Sequence, residues 1–198
     1  MKVHFIRSGD RRYSMKIERV DAPTLVMDPA PGFDPDVPHD MVHFVVEAAL
    51  GLKSGVFGQI ASGGDAGSFR VAADDLSVKD RQRAARKQVA KGAKLVKAQG
   101  REGELSELAA FLFDIDWRSQ KRADSAAQRA ALGEAERTRA SLSADERARI
   151  DAARPRVFAD FDRLSKAWCA LRVGEALTLE WPTLRVITSP EGGSSLRA

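Results

Sequence analysis

Cysteine is almost absent from this 198-residue chain: Cys169 is the one thiol, so no intramolecular disulfide can form. Its place in an apolar helical pattern predicts a buried sulfur. No apolar run approaches the length that crosses a bilayer, and the strand-like N-terminus lacks a signal peptide's apolar core. A cytoplasmic location without membrane contact is the expectation. Also missing are a Gly-rich cofactor fingerprint, a zinc-finger spacing, and a nucleophile accompanied by its base. Histidine is scarce, yet two of the three histidines stand together at positions 39 and 43.

What is present fits a folded, soluble domain. The chain is 43% hydrophobic and 30% charged, and its length allows one substantial core with a helical appendage. The net charge of +4 is unevenly spread. Residues 79–101 carry nine bases against one acid, Asp80, whereas residues 102–116 carry five acids and no base.

Residues 2–7, 13–20 and 24–27 are β-like, parted by the turn signals Ser8-Gly9-Asp10 and Ala22-Pro23. Tyr13, Met15 and Ile17 alternate with Ser14, Lys16 and Glu18, which predicts one buried face and one wet one. The proline-studded stretch 28–35 is expected to be neither helix nor central strand. It leads into Pro38-His39-Asp40-Met41-Val42-His43-Phe44-Val45-Val46-Glu47, where Asp36 and Pro38 mark a helix start.

With about 100° per residue, and His39 taken as zero, His43 falls near ~40°, Glu47 near ~80° and Asp40 near ~100°. Met41, Val42, Phe44, Val45, Val46, Ala48 and Ala49 occupy the rest of the circumference. Such a helix is buried on several sides, with its ionisable groups on one stripe. Two histidines at i and i+4 can reach one metal ion, and imidazole ligands favour zinc. His39 and His43 are thus candidate metal ligands, and Asp40 and Glu47 candidate catalytic carboxylates. Asp40 would act on a metal-bound water, while Glu47, a turn further on, would fix the tautomer of His43. A third ligand would come from His4, Asp28 or Asp34. On the plainer reading, the stripe is simply the wet edge of a buried helix, with Asp36 and Asp40 favoured by the helix dipole.

This HDxxH helix is similar to the HExxH helix of metalloproteases, although Asp40 is a methylene shorter than the Glu of that motif. It is also similar to the HDxxH helix of a ubiquinone-biosynthesis family. That family places its glutamate much further on, where this chain has Gly55, and Glu47 comes too early. Across residues 13–68, Leu25-Val26-Met27-Asp28-Pro29, the Pro38–Glu47 run and the segment from Gly55 to Gly67 resemble a family of uncharacterised bacterial proteins. That resemblance implies no activity.

The Gly-rich segment 55–67 matches no P-loop or dinucleotide fingerprint and is expected to be a mobile surface loop, with backbone N–H groups able to face an anion. Residues 76–99 read as a polar, basic helix with a solvated face. It lacks the interleaved aromatics of a nucleic-acid surface. Residues 104–117 are amphipathic, with acids expected to face the basic helix across a turn at 100–103. Residues 118–140 read as an exposed helix or a partly disordered connector. Ser143-Ala144-Asp145-Glu146 is a capping box opening a helix that Pro155 should kink or interrupt, and Val157, Phe161, Leu164, Trp168 and Leu171 mark its core half. A C-terminal strand with Leu177, Leu179 and Trp181 then joins the edge of the N-terminal sheet.

The expected fold is α+β: a small antiparallel sheet from both chain ends, packed by helices. Residues 1–75 and 143–190 form the core. Residues 76–142 form a charged helical insertion that projects or folds back, and 191–198 a disordered tail. Two functions fit. One is a divalent-metal site, zinc by ligand type, for hydrolytic or Lewis-acid chemistry. The other is a non-enzymatic scaffold whose charged helices take a protein partner, a second copy of the chain included, with nucleic acid ranking behind these.

Overall fold

The computed structural model describes residues 1–73, 76–98, 100–121 and 125–187, so the tail at 191–198 lies outside the described residues. Three N-terminal strands, β1 (Lys2–Gly9), β2 (Arg12–Arg19) and β3 (Ala22–Ala30), form a meander. A two-residue strand, β4 (Arg70–Val71), and two C-terminal strands, β5 (Ala176–Glu180) and β6 (Arg185–Val186), complete an antiparallel sheet ordered β4-β3-β2-β1-β5-β6. The two chain ends meet because β5 pairs with β1, with Phe5 opposite Leu177. Val3, Phe5, Tyr13, Met15, Ile17 and Leu179 are fully buried on one face, as the alternation requires.

Strand β3 runs through Asp28-Pro29-Ala30, which the prolines had argued against. Two local features admit Pro29. Strand β4 pairs only with Leu25 and Val26, so β3 has no neighbour on that side at Pro29. Toward β2 the register shifts, with Met27 opposite Met15 but Ala30 opposite Tyr13, so Pro29 lies in a bulge.

The HDxxH helix, α1 (His39–Leu50), follows Pro38 and ends at Gly51 in the left-handed conformation. Phe44 packs edge-on against Phe5, which ties α1 to the sheet. A short helix, α2 (Val56–Ala61), stands where a mobile loop was expected, and Phe57 and Ile60 on it are fully buried. Next come α3 (Val78–Ala98), α4 (Gly100–Ser119), α5 (Ala126–Ser141) and α6 (Ala144–Cys169). The capping box at Ser143 and Glu146 is formed. Helix α6 continues through Pro155, whose surroundings are exposed, so water can take up the carbonyl the proline frees. Trp168 packs edge-on against Tyr13 and docks α6 on the sheet beside α1.

The mid-chain helices fold back rather than project. Leu105, Ala109, Leu112, Phe113 and Trp117 of α4 belong to the same hydrophobic cluster as α1, α6 and the sheet. Helix α3 touches this body lightly, burying only Gln88 and Gly92. The turn expected at 100–103 is helix, and among the described residues no ion pair joins the α4 acids to α3. Glu102 accepts from the Lys53 N–H, Glu104 pairs with Arg101, and Asp116 holds Arg139 and Arg154. The apolar stripe, not charge, sets how α4 docks. Cys169 is exposed rather than buried, because it closes α6 at the surface, where its thiol donates to the Pro35 carbonyl. Among the described residues, no helix is long and apolar enough to cross a membrane.

Candidate functional site

Helix α1 carries the four ionisable groups on one stripe, but the stripe is not a wet edge. Glu47 is 0%, His43 2% and Asp40 8% exposed, and only His39 stands open to solvent. Each buried group must therefore find compensation within the protein.

Glu47 finds the most. Its carboxylate accepts the backbone N–H groups of Val56 at 2.7 Å and Phe57 at 2.9 Å, and the Ser106 hydroxyl at 2.9 Å. The anion that the Gly-rich segment receives is thus a side chain of the same protein. The first turn of α2 exposes orphan N–H groups, and a buried carboxylate satisfies them. Glu47 is a strut between α1, α2 and α4. It lies outside the lining of the cleft described below.

Asp40 pairs with the hydroxyl of Tyr13, which also contacts the Pro31 carbonyl at 2.6 Å. A phenol owns a single hydrogen. The hydroxyl is the donor toward both acceptors, so its one hydrogen serves the Asp40 carboxyl or the Pro31 carbonyl at a time. Burial is the largest influence on Asp40 and raises its pKa, while the Tyr13 hydroxyl and the neighbouring histidines only partly oppose it. Burial and the Asp40 charge likewise push the Tyr13 hydroxyl up. Asp40 faces the sheet and is also absent from the cleft lining.

His39 and His43 do come together. Their ring centroids are 4.7 Å apart, at the rim of a cleft of ≈ 440 Å³ between α1 and α4. Val42, Ala110, Phe111 and Ile115 give it an apolar wall, and Glu107 stands at its mouth. The far end is closed by Arg118, whose guanidinium donates to Asp34 and Asp114 at 2.8 Å each and to the Val37 carbonyl at 3.1 Å. With these donors engaged, Arg118 pins the 31–38 loop to α4 rather than offering a free cation.

His43 is oriented by carboxylates on both sides. Nδ1 lies 3.8 Å from Glu47 and has no hydrogen-bond partner, and Nε2 lies 3.6 Å from the exposed Glu107. Burial pulls the imidazole's pKa down, but Glu47, Glu107 and Asp40 together outweigh it and hold the pKa above the ordinary value. The site can therefore hold a proton on His43, or exchange it for another cation.

The other candidate ligands lie elsewhere. His4, on β1, bonds Thr178 at 2.9 Å and contacts Glu18 at 3.5 Å, and it does not line the cleft. Asp28 is exposed on β3, and Asp34 is taken by Arg118. Among the described residues, no three His, Cys, Asp or Glu side chains already stand arranged around one metal position.

Sequence reasoning missed Glu107 and Tyr13. The apolar spacing of α4 located that helix but did not say which neighbour its flank would meet. For Tyr13 a signal existed: it alternates onto the buried face, and a buried phenol needs a partner. No family model matches the chain, and no curated protein or solved structure matches it.

Proposed function

We propose that the α1–α4 cleft takes a divalent metal, zinc by ligand chemistry, and uses it for hydrolytic or related Lewis-acid chemistry. His39 and His43 supply the imidazoles. Glu107, exposed and free to swing, supplies the carboxylate in place of His4, Asp28 or Asp34. One observation carries this reading: His43 directs Nε2 toward the cleft mouth and Glu107, and Nδ1 toward the buried Glu47. Ligand histidines adopt that two-sided setting, with an outer carboxylate fixing the ring. Three protein ligands leave the fourth position of a tetrahedral ion to water, whose pKa then falls toward about 7. Asp40 takes no part, since it is buried against Tyr13. The apolar wall beside the metal suits the uncharged part of a small substrate.

Zinc titrated calorimetrically into the apoprotein tests this. One site is expected, with its affinity abolished in His39→Ala and His43→Ala and reduced in Glu107→Gln. Metal at a hundredfold over Kd should add about 2.7 kcal/mol of stability. Absence of heat and of any thermal shift in the wild type would remove the proposal.

A second reading, a non-enzymatic scaffold that binds a partner through its charged helices, is favoured by helix α3. Among the described residues, none of its lysines or arginines makes an ion pair. The zinc titration decides between the two, because only the first requires His39 and His43.

A further inference from the structure

The basic helix was expected to present a solvated face partly neutralised by the acidic segment after it, and among the described residues no ion pair joins the two. Helix α3 leans on the sheet by a narrow edge. There Gln88 donates to the Gly64 carbonyl at 3.2 Å, and Arg19 of β2 donates to the same oxygen at 3.3 Å and to the Pro23 carbonyl at 2.8 Å. These bonds close a small cleft of ≈ 270 Å³ between α3, the β2–β3 turn and Gly63. Three cations line it: Arg19, Lys87 and Lys91. Lys87 and Lys91 are at i and i+4, so they share one face of α3.

The one acid in its lining, Asp21, is exposed, and among the described residues it makes no ion pair with the three cations. Asp65 influences Arg19 only at a distance, and burial holds the Arg19 pKa below its usual value. The Arg19 Nε is buried with no hydrogen-bond partner, a donor left over in a protein that satisfies most of its buried polar atoms. Lys91 is held close over a bare backbone: a Cβ added at Gly63 would come within 2.7 Å of its Nζ. Cations from β2 and from α3 line the same cleft, so an anion placed there meets charge-assisted donors from both elements.

We propose that the cleft formed by Arg19, Lys87 and Lys91 binds the phosphate group of a small phosphorylated ligand. The cleft, of ≈ 270 Å³, admits a mono- or diphosphate, and an organic remainder extends toward solvent over the β2–β3 turn. This site is separate from the α1–α4 cleft and shares no residue with it.

The test is calorimetric titration of inorganic pyrophosphate into the full chain at low salt. Saturable one-to-one binding is expected. It should weaken by about a hundredfold in Lys87→Gln/Lys91→Gln, which loses two charge-assisted hydrogen bonds. The double variant Lys79→Gln/Lys94→Gln removes the same charge from exposed α3 positions outside the cleft and should bind like wild type. Equal losses in both double variants would mean diffuse surface charge and overturn the proposal. So would a wild type that gives no pyrophosphate heat yet binds duplex DNA with steep salt dependence, because the α3 cations would then serve a polymer backbone. Neither double variant should alter the zinc titration, so failure of one site leaves the other standing.

Discussion

Glu47 fills the space that a side chain at Gly55 would need: a Cβ added to residue 55 would overlap its carboxylate. The backbone of Gly55 is ordinary, at φ −75°, so the requirement for glycine there is one of close approach and not of conformation. Gly55→Ala should cost about 1–3 kcal/mol by overpacking, read as a lower denaturation midpoint at unchanged m-value. A neutral effect would mean that Glu47 is free to move aside.

Glu47→Gln tests the strut itself. The amide keeps one acceptor but turns its donor toward the N–H of either Val56 or Phe57, leaving a buried donor unsatisfied. A loss of about 2–4 kcal/mol is expected, in the range for hydrogen bonds to a buried charge. Hydrogen exchange should show α2 opening first, and uniform protection across α1 and α2 would contradict the role.

The Asp40–Tyr13 pair predicts a pH dependence. The Asp40 pKa is raised above its model-compound value of 3.8, so the folded state binds that proton more tightly than the unfolded chain. Its contribution is therefore present at low pH and lost as pH rises from about 4 through the raised value. Asp40→Asn supplies an amide donor that imitates the protonated acid at every pH. Melting temperatures from pH 4 to 8 should show the wild type falling progressively behind this variant. A constant gap between the two would refute a raised Asp40 pKa.

His43 couples protonation to metal. Its pKa lies above 6.5, and an imidazolium cannot ligate, so zinc must displace a proton. Zinc affinity should be weaker at pH 6 than at pH 8, with proton release seen as a dependence of the binding heat on buffer. Equal affinity at both pH values would exclude His43 as a ligand. Without metal, the stability His43 contributes is complete below pH 6.5 and lost as pH rises through its raised pKa, and His43→Gln should lack this trend.

Much was legible in the chain. Period-two alternation marked β2 and β5, the β-like run at 2–7 marked β1, and the edge of the N-terminal sheet was the expected place for the C-terminal strand. The nearly continuous apolar surface of α1 marked it as central, and the capping box at Ser143 set the start of α6. The sharing of one rim by His39 and His43 follows from helical geometry alone, because residues at i and i+4 are held by a single element.

The tertiary structure decided what each charge on α1 meets. Asp40, His43 and Glu47 lie on one stripe, yet three different elements approach it: β2 brings Tyr13 to Asp40, α4 brings Glu107 to His43, and α2 brings its N–H groups to Glu47. Pattern places a side chain on a face of its own helix, but its partner depends on where distant elements dock. That docking is driven by apolar burial, which has no direction and leaves no mark at the polar position itself. For the same reason the acids of α4 could be counted in the sequence but not assigned, and the cations of α3 remained without them.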